Sequence, residues 1–184
     1  MSTDTTTGPR FAMNPPVDLN RLQDFFHPDD IEWKPIAVSK KTGKALAAAY
    51  ITTRAIQDRL DAVCGPENWR NDFKEGPAGG VLCGISIYVA RPDGTAEWVT
   101  KWDGAENTDV EAVKGGLSSS MKRAASQWGI GRYLYRLPQE WVPVDQYGRF
   151  SQQPRIPRDF LPRRPQEQPR QEQRTQPAPV RRAG

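Results

Sequence analysis

The sequence predicts an α+β domain in which an antiparallel β-hairpin and β-meander pack against a long helix, with a disordered tail behind them. Three patterns predict it. In VLCGISIYV the residues Val81, Cys83, Ile85, Ile87 and Val89 alternate with their neighbours, which marks a half-buried strand. Val110, Val113, Leu117, Met121, Ala124 and Trp128 recur at spacings of three and four, which marks one face of a helix. From Ser151 onward Pro, Gln and Arg dominate, a mixture that buries too little apolar surface to offset chain entropy. The expected organisation is a flexible N-terminus over residues 1–17, a folded domain over 18–148 and a disordered tail over 149–184.

The elements follow in order. DLNRLQDFF places Leu19, Leu22 and Phe25 or Phe26 at helical spacing and predicts a short amphipathic helix. EWKPIAVSKKTGKALAAAY reads as two extended segments around a turn at Lys41 to Gly43, although its alanine run also suits a helix. ITTRAIQDRLDAVCG sets Ile56, Leu60 and Val63 on one face and stops at Gly65-Pro66, so a helix is expected there. NWRNDF, VLCGISIYV and ARPDGTAEWVTKW, the last turning at Pro92-Asp93-Gly94, form an antiparallel meander. Thr108 and Glu111 then form a T-x-x-E capping box that opens the long helix.

Charge is segregated along this framework. The tail from Ser151 carries 8 Arg against 3 acids, leaving 18 basic and 19 acidic side chains in residues 1–150. The folded part is therefore near neutral, yet two long windows hold no acid. Residues 114–139 contain Lys114, Lys122, Arg123, Arg132 and Arg136, and residues 33–57 contain Lys34, Lys40, Lys41, Lys44 and Arg54. Two such windows in a neutral domain point to a localised phosphate-binding surface. On the helix, Gly115, Ser119, Lys122 and Ser126 are expected opposite the buried stripe with Arg123 beside them, small side chains that let a backbone come close to two cations.

Catalytic chemistry finds little support in the residues. A single histidine, His27, permits neither a Ser-His-Asp triad nor a histidine-rich metal site, and a structural role is expected for it. SKKTGKA fails the nucleotide-loop pattern at Val38 and Ala45, so ATP hydrolysis is not indicated. Gly129-Ile130-Gly131 follows a helix and reads as its end rather than as a dinucleotide turn. Asp103, Glu106, Asp109 and Glu111 are a conceivable Mg²⁺ set for a nuclease, but capping accounts for the last two. Cys64 and Cys83 form no C-x-x-C pair, and neither a disulfide framework nor a zinc site is expected. MSTDTTTGPR lacks an apolar signal core and VLCGISIYVA is too short to span a bilayer, so the expectation is a reduced intracellular protein without cofactor or metal.

Taken together, AYITTRAIQDRLDAVCGPENW, a meander and VKGGLSSSMKRAASQWGIGRYLY resemble the Rad-fifty-two superfamily of single-strand annealing proteins, especially its bacterial and phage branch of Sak-type and DdrA-like members. The resemblance covers about residues 33–138 and implies a β-meander on a long helix, oligomeric rings, and single-stranded DNA along a basic groove. It also implies ATP-independent annealing in recombination and double-strand break repair, in the cytoplasm of a bacterial host cell, with a host single-strand-binding protein as a further partner. Lys122-Arg123 fall on the family's DNA-contacting Lys-Arg pair and Lys114 on a basic position before it. Tyr50-Ile51, Trp69 and Trp128-Gly129 match as well. Arg54 sits beside the eukaryotic arginine, whose position is Ala55, and Ser126 stands where eukaryotic relatives carry a further cation.

The expected DNA-binding set is thus Lys122, Arg123, Lys114, Arg54, Lys44, Lys41, Lys40 and Arg132. Trp33, Trp69, Trp98, Trp102 and Trp128 lie in apolar patterns, so core packing is expected for them, with base stacking as the alternative. An end-protecting ring without annealing activity shares every binding feature. The arginine-rich tail, densest at Arg163-Arg164 and Arg181-Arg182, is expected to act as an electrostatic capture arm.

Overall fold

Among the described residues, two three-stranded antiparallel sheets account for the named strands. The first, in the order β1-β2-β6, contains β1 (Ile31–Ser39), β2 (Lys44–Ile51) and the late strand β6 (Glu140–Pro143). The second is a meander of β3 (Trp69–Glu75), β4 (Val81–Ala90) and β5 (Ala96–Ala105). Helix α1 (Thr53–Cys64) joins the sheets, and α2 (Ala112–Gln127) packs across β4 and β5. This computed structural model describes residues 17–91, 93–106 and 112–162, excluding the side chains of residues 78 and 112–114. The Thr108–Glu111 capping box, Val110 and Pro92 lie outside the described residues, as does the chain from residue 163.

Local chemistry explains the boundaries. The alanine run of residues 45–49 is extended because it pairs on both sides, with β1 and with β6, and its alternate residues Ala45 and Ala47 are buried. SKKTGKA is the hairpin turn: Gly43, at φ 62°, donates its N–H to the Ser39 carbonyl at 3.0 Å. Thr52 caps α1 by accepting the Ala55 N–H at 3.1 Å, and Gly65 closes the helix with an N–H to the Asp61 carbonyl at 3.0 Å. At the end of α2 the Ile130 N–H reaches the Ala125 carbonyl (3.1 Å) and the Gly129 N–H reaches Ser126 (3.0 Å), a Schellman closure with Gly129 at φ 94° and Ile130 buried against the core.

The core lies between α2 and the inner face of the meander, where Cys83, Ile85 and Ile87 meet Met121, Ala124, Ala125 and Trp128, with Ile56 and Leu60 of α1 completing it. Cys64 and Cys83 are free and buried, and burial pushes both thiols up to about 11, far from a reactive thiolate. His27 caps a 3₁₀ turn by accepting the Asp29 N–H on Nδ1 at 3.4 Å.

Two expectations change. DLNRLQDFF forms one 3₁₀ turn, Leu19–Gln23, rather than an α-helix. The carbonyls of Asp24 and Phe25 accept from the Arg59 guanidinium, which also reaches the Arg21 carbonyl beside the Asp24 N–H, while the Phe26 N–H donates to the Tyr133 hydroxyl at 3.1 Å. The packed chain also continues past residue 148. Ile156 and Phe160 pack against the core, and the Phe160 ring stacks on Tyr133 with centroids 6.1 Å apart and lies 5.9 Å from Phe25. Two apolar anchors among the Pro, Gln and Arg of this stretch hold it to the domain where average composition predicts a tail. A chain ending at Gly148 should therefore lose roughly 2–4 kcal/mol of stability, whereas one ending at Pro162 should keep it. Urea unfolding of the two truncations checks this through their midpoints.

Candidate nucleic-acid interface

Successive residues of an α-helix point about 100° apart, so Lys122 and Arg123 leave α2 in different directions. Lys122 enters the seam between α2 and the hairpin, where its side chain is only 18% exposed and Nζ lies 3.9 Å from Glu32 Oε2 of β1. Tyr50 of β2, directly across from Glu32, has two cations near its ring, Lys34 Nζ at 5.7 Å from the centroid and Lys122 Nζ at 5.9 Å. Burial pushes the Lys122 ammonium below the usual lysine range; Glu32 draws it back up and Lys34 adds to the lowering. The cleft beside Lys122, bordered by Tyr50, Ser126 and Tyr135, encloses about 40 Å³. That is room for water and not for a nucleobase.

Arg123 takes the other flank, toward β5. Its side chain is 56% exposed, and Nε donates to Asp103 Oδ1 at 3.0 Å. Asp103 also accepts from Gln127 Nε2 (3.1 Å) and from the Gly104 N–H (2.8 Å). Partial burial pushes the Asp103 carboxyl up, but the hydrogen bonds from Gln127, Gly104 and Arg123 outweigh it and hold the group below the usual carboxylate range. Two more cations close this end of α2. Lys101 Nζ donates to the Gln127 carbonyl at 3.0 Å and sits 4.4 Å above the Trp128 ring, and Arg132 donates to the carbonyls of Ser126 (2.7 Å) and Gln127 (2.9 Å). Both meet the negative end of the helix dipole.

The eight expected residues thus separate into groups. Lys122, Arg123 and Arg132 gather on α2 and just beyond it, with Arg132 engaged by helix carbonyls. Arg54 is exposed in the first turn of α1, next to Thr53, whose hydroxyl lies 3.0 Å from that of Ser118 on α2. Lys40, Lys41 and Lys44 stand at the hairpin tip, where Lys44 lies six positions along β2 from Tyr50, about 20 Å at strand rise. The side chain of Lys114 lies outside the described residues. The expected small-residue face is the flank of α2, with Gly115, Ser119 and Ser126 half-buried, while Ser120 is buried and donates to the Leu117 carbonyl. Asp103 is committed to Arg123 and Gln127 instead of an Mg²⁺ set, and Asp109 and Glu111 lie outside the described residues.

Sequence reasoning missed Glu32, Lys34 and Lys101 as neighbours of the Lys-Arg pair. Glu32 precedes the acid-free window by one residue, and only the β1–β2 register places it against Lys122. Trp98 and Trp102 depart from core packing: they lie on the meander face away from α2, 39% and 38% exposed. Trp102 lies flat on Gly84, where a Cβ would come within 2.6 Å of the ring, with Lys74 Nζ 4.4 Å from its centroid. Arg70 covers Trp98 at the same distance. Trp128 is buried in the core, and Trp33 and Trp69 pack against it half-buried.

A near-neutral α+β domain with cations gathered along one helix is the class of protein defined so far. Residues 19–151 match the model of the Rad52/22 family of double-strand break repair proteins, and the chain belongs to that family. It is 39% identical over 127 residues to the single-stranded DNA-binding protein DdrA of Deinococcus radiodurans, and 38% identical over 124 residues to the DdrA of Deinococcus deserti. These matches take in 68% and 66% of this chain and 58% of each relative's length. No helix among the described residues is long and apolar enough to cross a membrane.

The Asp103 network carries a pH signature. A carboxyl whose folded value is depressed adds stability above its unfolded value, and that contribution is lost as pH falls through the folded one. An NMR titration should place the Asp103 midpoint below the usual carboxylate range, and the Arg123 Nε–H signal should lose its hydrogen-bonded shift over the same range. In Asp103→Asn that coupled change should vanish.

Proposed function

We propose that this protein binds single-stranded DNA by its phosphates along the seam between the hairpin and α2 and promotes annealing of complementary strands, without ATP, in double-strand break repair. The observation that carries this reading is the placement of Lys122: a cation seated in the seam, beside a cleft with room for water and not for a base, flanked by Lys34 and Tyr50. Such a site grips the backbone and leaves base edges free, so Watson-Crick pairing with a second strand supplies the sequence specificity. Arg54, exposed in the first turn of α1 beside the Thr53–Ser118 contact, adds a cation near α2, and Arg123 offers a separate phosphate contact on the other flank of the helix. The names of the Deinococcus relatives as single-stranded DNA-binding proteins support the same ligand.

The working form in this reading is a closed ring of identical head-to-tail contacts. Edge strand β1 supports it, since Ile36 and Val38 are 54% and 56% exposed on a strand that pairs on one side only among the described residues. The arginine-rich residues from 163 onward act as a capture arm, the protein works in the bacterial cytoplasm, and a host single-strand-binding protein is a further partner.

Lys122→Gln with Arg123→Gln should weaken binding to fluorescent oligo-dT about 10- to 100-fold while the circular-dichroism spectrum stays that of the parent. On a log-log salt plot the slope should fall by roughly 0.7 for each phosphate that is no longer neutralised. Parental affinity in the double variant would refute the assignment. Fluorescence annealing of complementary oligonucleotides completes the test, because binding that leaves the annealing rate unchanged would make the protein an end-protecting ring. Light scattering at micromolar concentration should report an oligomer, and a monomer that still anneals would sink the ring.

A further inference from the structure

We propose that Glu32 is an internal competitor for the phosphate site of Lys122, holding the ammonium in the unbound protein and yielding it when a strand arrives. The inference rests on the phosphate-binding reading of Lys122 and adds what limits the strength of that binding. Among the described residues, Glu32 is the one acid within ion-pair reach of Lys122. At 3.9 Å the pair is well beyond the 2.7–2.9 Å of a charge-assisted hydrogen bond, so the contact is electrostatic and easily exchanged. The two partners are unequally exposed: the lysine side chain is 18% accessible and the glutamate 50%. Lys122 is fixed in the seam, while the carboxylate has solvent to turn into.

The surroundings fit the same role. Glu32 shares its face of β1 with Lys34, two residues on, and stands across from Tyr50, whose ring both lysines approach. An incoming phosphate is drawn by Lys34 and Lys122 and repelled by Glu32. For Lys122 to donate to the phosphate, the Glu32 carboxylate must let go of the ammonium and move off. Each bound strand therefore gives up part of its attraction at every such site, which keeps the grip reversible. A strand held this way is released more readily once its bases have paired.

Glu32→Gln keeps the size and polarity of the side chain and removes the competing charge. Measured with fluorescein-labelled oligo-dT on the full chain, its dissociation constant should fall about fivefold, mostly through a slower off-rate. The log-log salt slope should steepen by up to about 0.7, as one more cation acts at full charge. In a Lys122→Gln background the same substitution should change affinity much less, since no ammonium remains to be released. Circular dichroism and the thermal midpoint confirm that each variant is folded. Unchanged or weaker binding by Glu32→Gln, with Lys122→Gln still impaired, would overturn the competitor role and leave the phosphate reading standing. Equal tightening with and without Lys122 would reduce Glu32 to a general surface charge and also overturn it. If neither Glu32→Gln nor Lys122→Gln alters binding, the phosphate reading of Lys122 falls and this inference with it.

Discussion

The positions of Lys122 and Arg123 on α2 depend on the seating of Trp128. Its indole N–H donates to the Ile85 carbonyl of the central meander strand at 2.9 Å, in a buried setting where an unmade bond is costly. Lys101 covers the ring from β5, and the Schellman closure begins at the next residue. Rotation of the helix about its axis is fixed by this anchor, together with Met121, Ala124 and Ala125 against Cys83, Ile85 and Ile87. With that stripe facing the sheet, positions 122 and 123 fall on opposite flanks. No rotation brings both into one groove without lifting Met121 out of the core.

The two flanks then acquire different chemistry. On the hairpin side a lysine is nearly enclosed and partnered by a distant carboxylate, with a second lysine and a tyrosine beside it. On the β5 side an arginine is mostly exposed but tightly oriented by Asp103, which Gln127 and the Gly104 N–H hold in turn. A lysine's compact charge suits a narrow seam, and an arginine's planar fork suits an oriented surface contact. Lys122 and Arg123 thus occupy two separate charged environments that share a helix turn rather than one patch.

Local signals in the sequence are legible where they are self-contained. Thr52 and Gly65-Pro66 bound α1 because a cap and a stop need only their own neighbours. The alternation in β4 holds because one face meets α2. Pairing is hidden. Nothing within VLCGISIYV or EWVTKW reveals that Gly84 sits under Trp102, which turns two tryptophans away from the core, and nothing in EWKPIAV reveals that Glu32 faces Tyr50. Strand β6 is four residues long and defined by its partner β2, and the return of Ile156 and Phe160 to the core is a long-range contact inside a polar composition. Register and long-range closure set these features, and a one-residue shift in either would reverse them.

A structure of the protein bound to oligo-dT tests the central claim most directly. The account predicts a phosphate within hydrogen-bond distance of Lys122 Nζ, the Glu32 carboxylate turned away from it, bases open to solvent, and Trp98 and Trp102 still covered by Arg70 and Lys74. A strand lying instead across the outer meander face, with bases stacked on those two indoles and Lys122 still against Glu32, would contradict it.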